Sequence, residues 1–216
     1  MSSARILKLD QPETDVVVKR DEQLNVFIPI LGLDGEFKIR IVLAGEGAAA
    51  RIHGAGVLSG EQKLKLAVDT IHEAPNTTGS TLVKAVLKDA ANFEFFGMIK
   101  ILKAAQGSND FLQQDSLLLS DEASANAVPG LEIEANEVKA SHAATAAPVN
   151  QEQLFYLRSR GIPELVATQM VAEAFLAPAM RGVDEQMHDK LLLPLQGGFR
   201  AAPINRHATQ NAIPIL

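Results

Sequence analysis

The 216 residues contain no cysteine. Disulfides, thiolate nucleophiles and cysteine-ligated metal centres are therefore excluded from this chain. Tryptophan is absent too, and the single tyrosine, Tyr156, falls in a helix-like stretch. Long apolar runs are missing: candidates such as Val26 to Leu33 are too short and too interrupted to span a bilayer. The opening MSSARILKLDQPETD holds no apolar block of signal-peptide length, so a cytoplasmic location is expected. Positive charge is short as well. The net charge is −6, and no basic stripe with interleaved aromatics argues for nucleic acid.

What is present is 47% apolar residues in a chain long enough for one substantial core. Residues 1–14 read as a lead-in without pattern. Beyond them, Phe37, Ile39, Ile41 and Leu43 alternate with Lys38 and Arg40, and Leu64, Leu66 and Val68 alternate with Lys65 and Asp69. Such a period of two marks strands with one buried and one wet face. Extended segments are also expected at Asp15–Lys19, Leu24–Leu31, Ala48–Leu58, Thr81–Leu87, Phe93–Leu102, Asp115–Leu119 and Leu131–Val138. Asp34-Gly35, Pro75-Asn76, Gly107-Ser108-Asn109 and Pro129-Gly130 supply turn chemistry between segments. Central residues Leu64, Val83, Ile99, Leu117 and Ile133 recur at uneven intervals of just under about twenty, within the range of stacked solenoid coils. A β-sandwich also places strands at short intervals, so the pattern leaves both open.

Near residue 150 the period changes. Gln151–Arg160 reads as a helix carrying Leu154, Phe155 and Leu157, with Gly161 as its stop. Pro163 opens a second helix whose apolar stripe is Val166, Met170, Val171 and Phe175, and Pro178 closes it. A third, weaker helix covers about 184–193. The expected division is lead-in 1–14, β core 15–148, helical domain 149–195 and tail 196–216.

Chemistry is sparse. His53, His72, His142, His188 and His207 are widely separated, without the spacing of a helical zinc site, and no phosphate-cradling loop or nucleophile elbow occurs. His142, set among small residues in KASHAAT beside the change of fold, is the one histidine that invites a functional reading. Imidazole can ligate a metal or carry a proton near neutral pH, while the plain alternative is a polar residue at the end of a sheet.

A set of short blocks adds more: HEAPNT (72–77), LVKAVL (82–87), GMIKI (97–101), LLLSDEA (117–123), LEIEANEVKASHAAT (131–145) and EQLFYLRSRGI (152–162). In this order and separation they resemble the SufB/SufD family of iron–sulfur cluster assembly scaffolds, SufD more closely than SufB. The resemblance implies a right-handed parallel β-helix with a small C-terminal α-helical domain, and a non-enzymatic role. It implies partners: a SufC-type ABC ATPase docked on the helices, and a SufB-type subunit, or a second copy, at the end of the β-helix. The family's helical N-terminal extension is not evident, so a short form is expected. Where SufD proteins often read Lys-Cys-Ser-His, this chain has Lys139-Ala140-Ser141-His142, so the histidine carries over and the thiol does not.

From this follow further expectations. The chain alone holds no stable cofactor, and any iron–sulfur cluster is transient and shared with a partner, with His142 as the cluster-proximal residue. Phe155, Tyr156, Arg158, Arg160 and Gly161 are the candidate partner-binding set, while Leu154 and Leu157 are expected to face the end of the β-helix. Two other readings are a β-helix carbohydrate-active enzyme and a plain protein-interaction module. The low aromatic content, 5% with no tryptophan, argues against the enzyme.

Overall fold

The alternating segments become eleven strands that coil around one apolar interior. The computed structural model describes residues 2–196, with side chains from Ile6 onward. Strands β1 (Ser2–Ile6), β3 (Gln23–Leu31), β5 (Ala49–Leu58), β7 (Thr78–Leu87), β9 (Asn109–Leu118) and β11 (Lys139–Pro148) form one sheet, sheet A. Strands β2 (Glu13–Val18), β4 (Gly35–Leu43), β6 (Lys63–His72), β8 (Asn92–Ile101) and β10 (Ser124–Ile133) form the other, sheet B. Every pairing is parallel, and successive strands belong to opposite sheets. The result is a parallel β-solenoid of about five coils, not a sandwich of antiparallel sheets.

Stacked positions lie 29 to 32 residues apart in the central and later coils. The stacking repeat is therefore two strands, one per sheet. The uneven spacing read along the sequence mixed faces: Val83 points into the solenoid, whereas Leu117 belongs to the outer face of sheet A. Residues in the left-handed region recur at one corner, at Asp21, Gly47, Asn76 and Gly107. Backbone hydrogen bonds link these corners from coil to coil, Gly47 N–H to Pro75 O and Asn76 N–H to Gln106 O among them. Asp, Asn and Gly tolerate that conformation, so the same turn can be repeated.

Two readings at the end of the solenoid are corrected. Pro129-Gly130 is not a turn but lies inside β10, which ends at Ile133. The turn falls at 134–138, so the expected strand at 131–138 is the end of one strand plus a corner. Proline is tolerated there because β10 is the edge of sheet B, with no further strand needing its N–H. At the other end, the patternless residues 1–14 contain β1 and the start of β2, and Leu7 and Leu9 join the core.

Side chains such as Ile28, Ile41, Ile52, Leu66, Phe93 and Phe95 fill the space between the sheets. A second apolar cluster lies outside sheet A, where Ala55, Val57, Val86 and Leu117 are covered by helices α1 (Gln151–Ser159), α2 (Glu164–Leu176) and α3 (Glu185–Gln196). The helices thus lie along the flank of the solenoid. Leu154 and Leu157 do turn inward, but toward this flank rather than the solenoid end.

Helix α1 is capped at both ends, and its stop at Gly161 is the one expected. The Asn150 side chain accepts hydrogen bonds from the N–H groups of Glu152 and Gln153. Gly161, at φ 84°, lets its N–H reach Arg158 O while Ile162 N–H reaches Leu157 O, a Schellman closure. The stripe expected on α2 is rotated. Ala167, Ala172 and Leu176 are buried, Val171 and Phe175 pack at the margin, and Val166 and Met170 are exposed. Small alanines let the helix approach the sheet closely, so the largest apolar side chains need not mark the buried face. Helix α3 continues past Pro194 to Gln196, and the tail expected after it lies outside the described residues.

Candidate functional site

Inside the solenoid the lining becomes polar toward the later coils. The inward column Val26, Ile52, Thr81, Leu112 ends at His142 on β11, one residue per coil of sheet A. The next-to-last strand of that sheet turns Asp110, Gln114 and Ser116 inward beside Leu112, all buried. Gln114 Nε2 donates to Ser116 Oγ at 2.7 Å.

A buried network joins two coils here. His72 Nδ1 lies 2.8 Å from Thr77 Oγ1, and its Nε2 lies 2.9 Å from Asp110 Oδ2. Thr77 Oγ1 lies 2.7 Å from Ser108 Oγ, which also accepts the Thr77 N–H at 3.2 Å. A Cβ at Gly79 would collide with the Asp110 carboxylate, so glycine makes the room that the aspartate occupies. Asp110 Oδ1, Thr70 Oγ1 and Thr81 Oγ1 are buried without a hydrogen-bond partner among the described residues. The sequence reading missed this cluster. A signal existed in part: His72 falls on the inward parity of β6, after Leu64, Leu66, Val68 and Thr70. Its partner Asp110 is 38 residues away and has no local pattern to announce it.

At the end of the solenoid nothing among the described residues covers the interior. Strands β10 and β11 are the last in their sheets, each with one free edge. On β11 the inward positions are Ala140, His142, Ala144 and Ala146, so the imidazole rises among methyl groups and is exposed to solvent. Leu131 and Ile133 on β10 are exposed as well. Unpaired strand edges with exposed apolar side chains are what an associating chain can use. Among the described residues no group of three or more His, Cys, Asp or Glu could hold a metal ion. His142 thus offers one nitrogen donor, and a site of the usual four ligands would need the rest from another molecule.

The second predicted set lies on α1. Phe155 is 74% exposed and Tyr156 58%, unusual for large aromatic side chains. Arg158 pairs with Glu164 at 3.3 Å, and Arg160 lies over the Tyr156 ring at 5.2 Å while its Nη2 donates to Tyr156 Oη at 3.3 Å. Both arginines are thus already engaged locally, and Gly161 acts through the helix stop. Beside them on α2, Leu165, Val166 and Met170 are exposed and extend the apolar surface; the last two belong to the apolar stripe expected on this helix. A groove of about 880 Å³ runs between these helices and the outer face of β9 and β11, lined by Leu117, Ala147, Tyr156, Leu157, Met170 and Phe175. No hydrogen bond or ion pair among the described residues joins the α1 set to His142. The structure presents two separate surfaces, one at the solenoid end and one on its flank.

Comparison with known proteins agrees with this architecture. The family model described as "SUF system FeS cluster assembly, SufBD core domain" matches residues 13–175, from β2 through nearly all of α2. The iron–sulfur cluster assembly SufBD family proteins of Staphylococcus saprophyticus and Staphylococcus epidermidis are each 32% identical to the chain over 137 residues, and one from Staphylococcus aureus is 31% identical over the same length. Each of these alignments covers 63% of this chain but only 30% of the relative. The match takes in both surfaces described above, and the chain belongs to the SufBD core family of the SUF iron–sulfur cluster assembly system.

Proposed function

We propose that the chain is a SufD-like, non-catalytic scaffold subunit in iron–sulfur cluster assembly. Family membership supports the process, and the open solenoid end bearing His142 is the observation that supports the scaffold role. In this reading the free edges of β10 and β11 meet a SufB-type subunit or a second copy of the chain. His142 faces the junction and works beside cysteines that the partner supplies. The cluster is cargo, held transiently across the contact, and this cysteine-free chain binds no cofactor stably by itself.

The exposed apolar surface of α1 and α2, with Phe155 and Tyr156 at its centre and Arg158 and Arg160 beside them, docks a SufC-type ATPase. No helix of the described residues is long and apolar enough to cross a membrane, which agrees with work in the cytoplasm.

The test is copurification with SufB-type and SufC-type partners, followed by cluster reconstitution with His142→Ala. Cluster formation is expected to fall sharply while the complex stays assembled, because His142 is exposed and no other described side chain hydrogen-bonds to it. Unchanged cluster formation in an intact complex would falsify the role of His142. Failure to copurify with either partner would leave only a plain interaction module. On the other surface, Arg160→Ala is expected to weaken ATPase binding by about tenfold with the melting temperature unchanged. Equal binding would remove Arg160 from the docking surface.

A further inference from the structure

A cleft of about 830 Å³ lies away from both surfaces, between the outer face of sheet A at β3 and β5 and the connection from α2 to α3. Arg51 and His53 point into it from alternate positions of β5, and Arg181 enters from the connection. In the described residues, Arg20, Arg40 and Arg158 each have a carboxylate partner and Arg160 packs on Tyr156. Arg51 and Arg181 have neither, although the chain carries a net charge of −6. Two solvent-exposed guanidinium groups thus line one cavity, available to fork onto an anion that enters it. Among the described residues Asp184 is the one acid lining the cleft, a single carboxylate against two arginines, and its Oδ1 accepts the Met187 N–H at the start of α3.

His53 reports the same field. It is half-buried, and its pKa is held below the usual histidine range, first by burial and then by the charges of Arg51 and Arg181. A neutral imidazole adds a hydrogen-bonding group to the cavity without adding to its charge. The remaining walls are largely apolar, with Phe27, Leu82, Pro178 and Val183 among them. Guanidinium forks suit phosphate or carboxylate oxygens, and the apolar wall suits a flat or hydrocarbon body.

We propose that this cleft binds a small organic anion, its phosphate or carboxylate held between Arg51 and Arg181 and its apolar body against Phe27 and Leu82. Binding is independent of the scaffold role and needs no partner subunit.

The experiment is an NMR titration of the full chain with phenyl phosphate, following the His53 ring signals, which a His53→Gln variant assigns. Inorganic phosphate supplies the charge without the body, and benzyl alcohol the body without the charge. Phenyl phosphate is expected to give a saturable shift and to raise the His53 pKa, since a bound anion offsets the two arginines. Inorganic phosphate is expected to bind at least about tenfold more weakly, and the Arg51→Gln/Arg181→Gln double variant to lose about tenfold or more toward phenyl phosphate. Both side chains are exposed, so the variant is expected to keep the parent's circular dichroism and melting temperature. Replacing both by lysine keeps the charge and loses the fork, and is expected to weaken binding less. No saturable shift at millimolar phenyl phosphate overturns the proposal. So does equal binding by the glutamine variant, or an equal response to benzyl alcohol.

Discussion

Sheet A and sheet B have matched lengths, the same parallel pairing and a shared interior, yet their outer faces differ completely. On sheet B the outer face is a ladder of ion pairs: Arg40 with Asp15 at 2.7 Å, Lys38 with Asp69 at 3.0 Å, and Lys100 with Glu132 at 2.7 Å. On sheet A the second halves of β5, β7 and β9 carry Ala55, Val57, Val86 and Leu117 outward, under the helices. The sequence registers the difference as loss of alternation. Strand β6 keeps a strict two-residue rhythm, while β5 ends in a run, Gly54 to Leu58, buried on both faces. A continuous apolar half-strand is the mark of a sheet covered on both sides.

The sharpest test of this contrast removes a covering side chain. Leu191, fully buried in the outer cluster, replaced by alanine is expected to destabilise the fold by about 4 kcal/mol, within the span of large-to-small core changes. Val17→Ala, at an exposed position of sheet B, is expected to change it by less than about 0.5 kcal/mol. Urea unfolding of the two variants measures both. Equal losses would mean that the helices contribute no more than surface contacts.

The next test compares ion pairs on the two faces. Lys84 Nζ sits 2.7 Å from Asp115 Oδ2 and 4.3 Å from the centre of the Phe175 ring, and Gln113 also donates to that carboxylate oxygen. About a tenth of each side chain is exposed, 12% and 11%. Lys84→Ala leaves Asp115 under the helices without its cation. We expect a loss of about 2–3 kcal/mol, somewhat below that for fully buried pairs. Arg40→Ala on sheet B, where the pair's side chains are 40% and 52% exposed, is expected to leave the urea midpoint within experimental scatter. If the two losses match, coverage by the helices does not decide what an ion pair contributes.

The smallest effect is in the acid range. Hydrogen bonds from Arg40 are the main reason that the Asp15 carboxyl is held below its ordinary pKa, with the Arg40 charge adding to them. A lowered carboxyl pKa contributes stability above the unfolded-state value, and that contribution is lost as pH falls through the lower folded-state value. Asp15→Asn should therefore lose a small stabilisation at neutral pH and flatten the acid limb of the profile, so that variant and parent converge as pH falls below about 4. A difference from the parent that appears only in acid, or that persists there undiminished, would contradict this assignment.

How much was legible depended on how local the cause was. The end of α1 was readable because Gly161 acts on neighbouring N–H and C=O groups. Strand parity was readable for the same reason, as at Leu64, Leu66 and Val68 of β6, all buried. The buried face of α2 was misread because the sequence shows size, whereas the sheet required close approach and selected Ala167 and Ala172. Pro129-Gly130 was misread because a proline in a strand is permitted only by the absence of a neighbour, and only the assembled sheet reveals that absence.

By itself the sequence determined that the first two-thirds of the chain forms strands and that residues 149–195 form helices, because the periods of two and 3.6 are properties of adjacent residues. Together with the family blocks it also singled out His142 and the surface of α1. The tertiary structure alone decided which sheet the helices cover, that His142 ends an inward column at an open edge, and that Asp110 meets His72. It alone placed Arg51, His53 and Arg181 around one cleft. Each of these depends on residues brought together across coils, tens of positions apart, where hydrogen bonding, burial and charge act through space and no local pattern records them.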